Sequence, residues 1–464
     1  MGLMEQIRER ILNWLLPSEY YDTAKRERLE NMSLWRAYYD GLYRKQLKVR
    51  PLQADDNVGL NFIGLVVDRS ISMLLGNGIE FDMGEDTGNQ PGQQVNTPIQ
   101  DYIDGVWEAN KSSILLHKAL QYACITGTGF LKILPGALEY SGNFYPRLIA
   151  LDPMWMSIET ADEDIEAVNA YQIQYKITRN GQEVNKRERT ERQVSPDGST
   201  VNWLVREFET DRNGRWVLLN ENVWDYEFAP ITHWQNLPQP SSAWGQSDIE
   251  NIIEIQDRVN FVASNISKII RYHAHPKTWG ASMGTQGKQS WGADEMLTFS
   301  DPNAKLANLE MQSDLASSRA YLMELRQAMF DIARTVGLNS LQSKLGALTD
   351  FQMRVVYQDA LAKNGTKQEL MGEMLEDVNH RLLVLADIPH DGGGTVIWPD
   401  PLPEDAVAES TALAQDINLG LVSKQTAALE RGYDYEQEQE RIQNEKSQGE
   451  NIGSQLLAAF NKGQ

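Results

Sequence analysis

An α+β fold is predicted for this chain on three observations. Apolar residues recur at helical spacing between residues 24 and 125 and again from residue 247 onward. Between them, residues 145–235 alternate apolar and polar side chains and carry the turn pairs Asn180-Gly181, Asp197-Gly198 and Asn213-Gly214, a hairpin signal. The 464 residues contain no internal repeat and, at ~100–200 residues per domain, are enough for two to four compact units.

The elements follow in order. Residues 4–16, within MGLMEQIRERILNWLLP, and residues 24–39 are helical in pattern; the first reads as an amphipathic helix and not as a secretory signal. Gln6 stands where a myristoylation site needs Ser or Thr, so lipidation is not expected. Ile63, Val66, Val67, Ile71, Leu74 and Leu75 form a helix face closed by Gly76, and Ile79 and Phe81 then alternate as a strand. After a Gly/Asn/Gln/Pro loop at 82–97, helices are expected at 99–109 and 113–125, then a tight turn and strand in GTGFLKI (127–133).

Beyond the β-rich region, Ser247 and Glu250 have capping-box spacing ahead of a stripe of Ile249, Ile252, Ile253, Val259, Val262, Ile266, Ile269 and Ile270. Residues 276–303 read as a short insertion of loops and strands. Leu315, Leu322, Leu325, Met329, Ile332 and Val336 then recur at heptad spacing, so two long helices flank the insertion as an antiparallel pair. A third long helix is signalled by Thr349 and Gln352, with Phe351, Val355, Leu370, Met374, Val378, Leu382 and Leu385 on its buried side. Gly365 and Gly372 cost ~1 kcal/mol each against Ala, and a kink is expected near Asn364–Gly365. A C-terminal helical unit follows, its second helix starting near Ser423.

Charge narrows the function. The chain has 43 basic and 65 acidic residues, a net charge of −22, which argues against tight wrapping of DNA. From Arg258 to Ala293 there is no acid, while Arg258, Lys268, Arg271, Lys277 and Lys288 are present with His273 and His275. This island is either a docking surface for an acidic partner or a charge-poor loop. No apolar run reaches the ~18 residues of a membrane span, so no membrane partner is expected.

The search for chemistry finds no enzyme motif. GASMGTQGKQS (280–290) has Ser282 where a phosphate-binding loop needs Gly, and Gln289 where it needs Ser or Thr. GTGF lacks the third Gly of a dinucleotide site. His273 and His275 have no Cys or carboxylate nearby to complete a metal set, and no G-x-S-x-G elbow occurs. Cys124, the one cysteine, reads as a buried small hydrophobe, and no cofactor is expected. The acidic run at 159–166 leaves a metal-dependent hydrolase or nuclease as the alternative to a structural protein.

Five segments in order resemble the portal proteins of long-tailed double-stranded-DNA bacteriophages, over roughly residues 20–445. They are YYDGL (38–42), NFIGLVVDRSISMLLGNGIEF (61–81), GTGFLKI with PRLIALDPMWM (146–156), FAPITHWQN…AWGQSDIENIIEIQDRVN (228–260) and LGLVSKQTAALERGYDYEQEQERIQNE (419–445). The resemblance implies a portal-type fold: an N-terminal arm and α/β wing (1–246), a first stem helix (247–272), a small α/β clip (273–310) and a second stem helix (311–337). A channel loop, long kinked helix and return to the wing (338–402) and a helical crown with acidic tail (403–464) complete it. It also implies a homo-oligomeric ring, usually a dodecamer, at one capsid vertex of the virion, assembled in the host cytoplasm. Duplex DNA would pass through without sequence specificity during packaging and ejection. The implied partners are the terminase packaging motor, the head-tail adaptor, and the major capsid and scaffolding proteins. On these positions Gln342, Ser343 and Lys344 would approach DNA in the channel loop. Lys277, Trp279, Lys288 and Trp291 would make clip contacts to a partner or within the ring, and Arg258, Lys268 and Arg271 would lie on the stem. Another structural head protein is the further alternative; the β-rich 145–235 region speaks against a scaffold.

Overall fold

The structure is a computed structural model that describes residues 23–43, 45–49, 55–76, 78–84, 98–179, 181–195, 201–211, 213–274, 277–281, 303, 305–309, 315–337, 350–402, 406–431 and 435–443. It is α+β. Helices α1 (Thr23–Tyr39), α2 (Phe62–Leu75), α3 (Pro98–Ala109) and α4 (Ser112–Thr126) come first, with the short strand β1 (Glu80–Asp82) between α2 and α3. Asn61 starts α2 by accepting the Gly64 amide on its side chain at 2.8 Å, and Gly76 ends it with φ +47°.

Strands β2 (Thr128–Tyr140), β3 (Asn143–Ala150) and β9 (Ile231–Gln235) form one sheet in the order β3-β2-β9. Strands β4 (Met156–Thr160), β5 (Val168–Arg179), β6 (Gln182–Val194), β7 (Val201–Thr210) and β8 (Trp216–Trp224) form an antiparallel meander. Arg179 pairs with Gln182 across a two-residue turn in which Gly181 has φ +77°, as the Asn-Gly signal predicts. Trp203 is buried, whereas Phe208 lies on the other face, beneath the Arg187 guanidinium at 4.7 Å; the irregular alternation in β7 therefore serves both faces. Arg189 and Arg206 stand directly opposite one another, a like-charge pair that Glu159, Glu191 and Glu221 interleave at 2.6–3.1 Å.

The second half holds α5 (Ile253–Ala274), the antiparallel strands β10 (Lys277–Ala281) and β11 (Lys305–Leu309), and α6 (Leu315–Ile332), which packs on α5. Then come α7 (Asp350–Val356), α8 (Gln358–Leu385), β12 (Thr395–Ile397) paired with β1, α9 (Ala406–Leu419) and α10 (Lys424–Glu430). Ser423 caps α10, its hydroxyl accepting the Thr426 amide at 3.0 Å. The main core joins Ile63, Val67 and Ile71 of α2, Ile103 and Trp107 of α3, and Met371, Leu375, Val378 and Leu382 of α8. Inside it, the Trp107 indole donates to Asn379 at 2.8 Å, which satisfies a polar group that burial would otherwise penalise.

Four expectations change. Ser247 does not cap a helix: a 3-10 turn at Glu250–Ile252 precedes α5, and the Ser247 hydroxyl donates to the Ile125 carbonyl at 2.7 Å instead. The long helix breaks at Tyr357, between α7 and α8, and runs unbroken through Gly365, where no side chain would meet an obstacle. Val355 consequently falls on the exposed side of the break. On α6 the buried line passes from the expected Ile332, 50% exposed, to Phe330 and Ala333. Ile332 stands about 60° around the helix from the buried Met329, on the side away from Phe330, which packs edge-on against Phe62 of α2 at 6.0 Å.

Candidate functional site

Two of the motifs singled out by sequence meet in space. Gly127 ends α4 with φ +90°, and a Cβ there would lie 2.1 Å from the Gly245 carbonyl oxygen. Only glycine combines that backbone conformation with so close an approach. The contact is secured on both sides: the Asn236 amide donates to the Gly127 carbonyl at 2.8 Å, and the Gly245 amide donates to the Thr128 hydroxyl at 2.9 Å. The Asp248 amide then donates to the Cys124 carbonyl at 3.0 Å. Gly245-Gln246-Ser247 is thus a latch that seats residue 248 against α4, with the Ser247 hydroxyl engaged by the Ile125 carbonyl.

The latch delivers Asp248 into the interior, where its side chain is fully buried. It meets two lysines one turn apart on α8: Lys363 at 3.0 Å and Lys367 at 2.5 Å. Lys367 also donates to the Ser70 hydroxyl at 2.7 Å and lies 3.4 Å from the Cys124 sulfur. Burial works to raise the Asp248 carboxyl, but Lys367 and Lys363 outweigh it and hold the group well below the usual carboxylate range. For Lys367 burial is likewise outweighed by Asp248, and its pKa is raised; for Lys363 burial wins and its pKa is lowered. The opposite directions reflect one carboxylate shared unequally, with Lys367 at the shorter contact. Burial pushes the Cys124 thiol up to about 12, so it stays protonated and is no nucleophile.

Helix α5 carries a second arrangement that its apolar stripe conceals. Gln256, Asn260 and Ser264 form a buried row at i, i+4 and i+8. They accept the amides of Phe62, Leu60 and Val58 at 3.3, 2.9 and 2.9 Å, and the Gln256 side-chain amide donates back to the Leu60 carbonyl at 2.6 Å. One helical turn of four residues rises about 6 Å and two extended residues about 6.6 Å, so the two spacings keep step over three contacts. The segment before α2 is therefore strapped along α5 by side chains that replace a missing strand partner.

Of the residues expected on this helix, Arg258 lies over its neighbour Phe261 at 5.3 Å, Lys268 is exposed, and Arg271 pairs with Asp56 at 2.5 Å. Arg271 thus tethers the strap. Lys277 and Trp279 are on β10, opposite Leu309 and Ala307. Lys288, Trp291, Gln342, Ser343 and Lys344 lie outside the described residues, as does His275. Toward the β10–β11 end, apolar side chains stay uncovered: Ile270 on α5 is 52% exposed, and Tyr321 and Met323 on α6 are 41% and 51% exposed.

Sequence reasoning missed Asp248, Lys363 and Lys367. The available signal was a pair of lysines at i, i+4 on the side of α8 that also carries Ala360 and Met371. Among the described residues, no group of three or more His, Cys, Asp or Glu side chains gathers to hold a metal ion. Nor is any helix among them long and apolar enough to cross a membrane. The arrangement can hold elements together and present surfaces.

A search among curated proteins finds no match to this chain. A family model described as phage portal protein, SPP1 Gp6-like, matches residues 18–451, nearly the whole length. The match covers far more than half of the chain, and the α+β architecture is consistent with it: the chain belongs to the phage portal protein family.

Proposed function

We propose that the chain is one subunit of a closed ring, usually of twelve copies, set at one vertex of the capsid in the virion. Duplex DNA passes through it during packaging and ejection. The packaging motor and later the head-tail adaptor dock on it, and the major capsid and scaffolding proteins surround it. In this reading α5 and α6 are the stem, the β10–β11 region is the clip, residues 338–349 with Gln342, Ser343 and Lys344 are the channel loop, and α9 and α10 belong to the crown.

The observation that carries the reading, beyond family membership, is the outer surface of α6. Tyr321 and Ile332 lie about 20° apart around the helix, while Met323 lies about 200° from Tyr321. All three are at least 41% exposed. Apolar side chains on two opposite flanks suit a subunit with a different neighbour on each side, as a head-to-tail ring requires. The charge supports a conduit: a net −22 lets phosphates pass without being held.

Native mass measurement and negative-stain images of the purified chain test this. Closed rings with a central hole are expected; a lone monomer at every concentration and salt condition overturns the reading. Lys344→Glu is expected to impair DNA packaging while leaving rings intact, and normal packaging would remove that residue from the channel.

A further inference from the structure

We propose that the cleft where α2, the end of α6 and the start of α8 meet is a binding site for a phosphate-class oxyanion, held by Arg69, Arg334 and Lys363. The cavity is about 230 Å³, and Ser70, Thr335 and Tyr357 add hydroxyl groups to its wall. No Asp or Glu lines it among the described residues. In a chain with 65 acidic and 43 basic residues, a cleft with three cations and no acid is a marked departure from composition.

Three further observations point the same way. Asp248 is one carboxylate serving two buried ammonium groups, and the neighbouring Cys124 thiol stays neutral. The cluster behind the cleft therefore carries one positive charge more than its own residues neutralise, and buried charge of this kind is costly unless paired. Lys363 spends two donors, on Asp248 at 3.0 Å and on the Ala333 carbonyl at 3.0 Å, and an ammonium has three. Arg69 holds the Val336 carbonyl at 2.7 Å with one of its five donors and makes no ion pair among the described residues.

Arg334 is the telling residue. It follows α6 in the left-handed conformation, φ +52°, where glycine is the usual occupant of a helix end. Its amide donates to the Asp331 carbonyl at 3.1 Å, but its guanidinium has no ion-pair partner among the described residues. A strained backbone that carries an unpaired cation into an acid-free cleft is the pattern expected of a ligand contact. Two guanidinium groups, an ammonium and hydroxyls offer more donors than one carboxylate can use, so a tetrahedral oxyanion is the better match. The room available is several times the ~30 Å³ share of one water, enough for a phosphate with its hydration or a diphosphate.

This inference does not depend on the ring. Calorimetric titration of the full chain with pyrophosphate, with a short single-stranded oligonucleotide and with acetate, at matched ionic strength, tests it. Saturable binding of pyrophosphate is expected for a free phosphate source, and binding of the oligonucleotide alone would assign the site to nucleic-acid phosphates. Arg334→Gly removes the charge while suiting the backbone, so the fold persists, and affinity should fall about tenfold, the scale of one charge-assisted hydrogen bond. Arg69→Gln should weaken binding in the same sense. No saturation in the millimolar range by either phosphate probe, acetate binding as well as pyrophosphate, or unchanged affinity in Arg334→Gly overturns the proposal.

Discussion

The two halves of α5 carry the same apolar stripe and live in different surroundings. From Ile253 to Ser264 the helix is covered: Val259 and Val262 are buried, and the polar row Gln256, Asn260 and Ser264 binds the backbone of the strap. From Asn265 to Arg271 the stripe continues in sequence, yet Ile266 and Ile269 are half-buried and Ile270 is exposed. Periodicity states which face of a helix is apolar; it does not state whether that face is covered by its own chain or by another. The inner half is a folding element, and the outer half has the character of an assembly surface.

The strongest test of the inner region is Asp248→Asn. It leaves Lys363 and Lys367 buried with no carboxylate, and breaking a buried pair from one side costs ~3–5 kcal/mol. Chemical denaturation should show that loss, and a variant as stable as the parent would mean that the cluster is not buried in solution. Adding Lys363→Met and Lys367→Met should recover most of the loss, because the uncompensated charges go with the carboxylate.

Acid should weaken the buried interior in two stages, first at His233 on β9 and then at Asp248. His233 shares a hydrogen bond with the Tyr171 hydroxyl at 2.9 Å, and burial together with Arg381 pushes its pKa down to about 4. The unfolded chain takes up that proton near pH ~6.5, so the contribution is complete above that value and is lost as pH falls toward 4. The loss is about 3 kcal/mol for a shift of this size. Asp248 follows: its depressed pKa gives stability that is present above ~3.9 and lost as pH falls below it. Urea midpoints measured between pH 8 and 3 should fall through the first step in the parent. In His233→Phe that step should be absent.

The strap is tested by Asn260→Leu. The substitution keeps the branching of the side chain but leaves the Leu60 amide without its acceptor, at a cost of ~1–3 kcal/mol. Hydrogen exchange at Leu60 should rise well above that at the central β5–β6 pairs. Equal protection would show that the strap does not rely on the side-chain row.

Much of this fold is legible in the sequence because local rules agree with it. The Asn61 cap, the Gly127 turn, the Asn-Gly hairpin and the Ser423 start each have a short-range cause. The polar row on α5 was hidden because Gln256, Asn260 and Ser264 border an apolar stripe, where polar residues ordinarily face water. Lys363 and Lys367 were hidden for a similar reason: lysines at i, i+4 on an amphipathic helix match a solvated edge, and the carboxylate that buries them lies over a hundred residues earlier in the chain. Cys124 is buried as expected, but its neighbour is an ammonium and not only hydrocarbon. In each case the missing information is the long-range partner, which periodicity does not encode.

The outer half should respond to substitution in the opposite way. Ile270→Asp and Met323→Glu replace side chains that are more than half exposed in one copy of the chain, so its stability should change by no more than ~0.5 kcal/mol. If neighbouring copies cover these positions, each substitution puts a carboxylate into every interface of the ring, and a closed assembly multiplies the penalty by its number of contacts. The expected result is an unfolding curve close to the parent's and a mass distribution shifted from rings to single chains. Rings that persist in both variants would confine the neighbour contacts to other surfaces, and the exposed stripe would then have to face a different partner. A large loss of chain stability would instead show that the outer half is covered from within, and the contrast between the two halves of α5 would disappear.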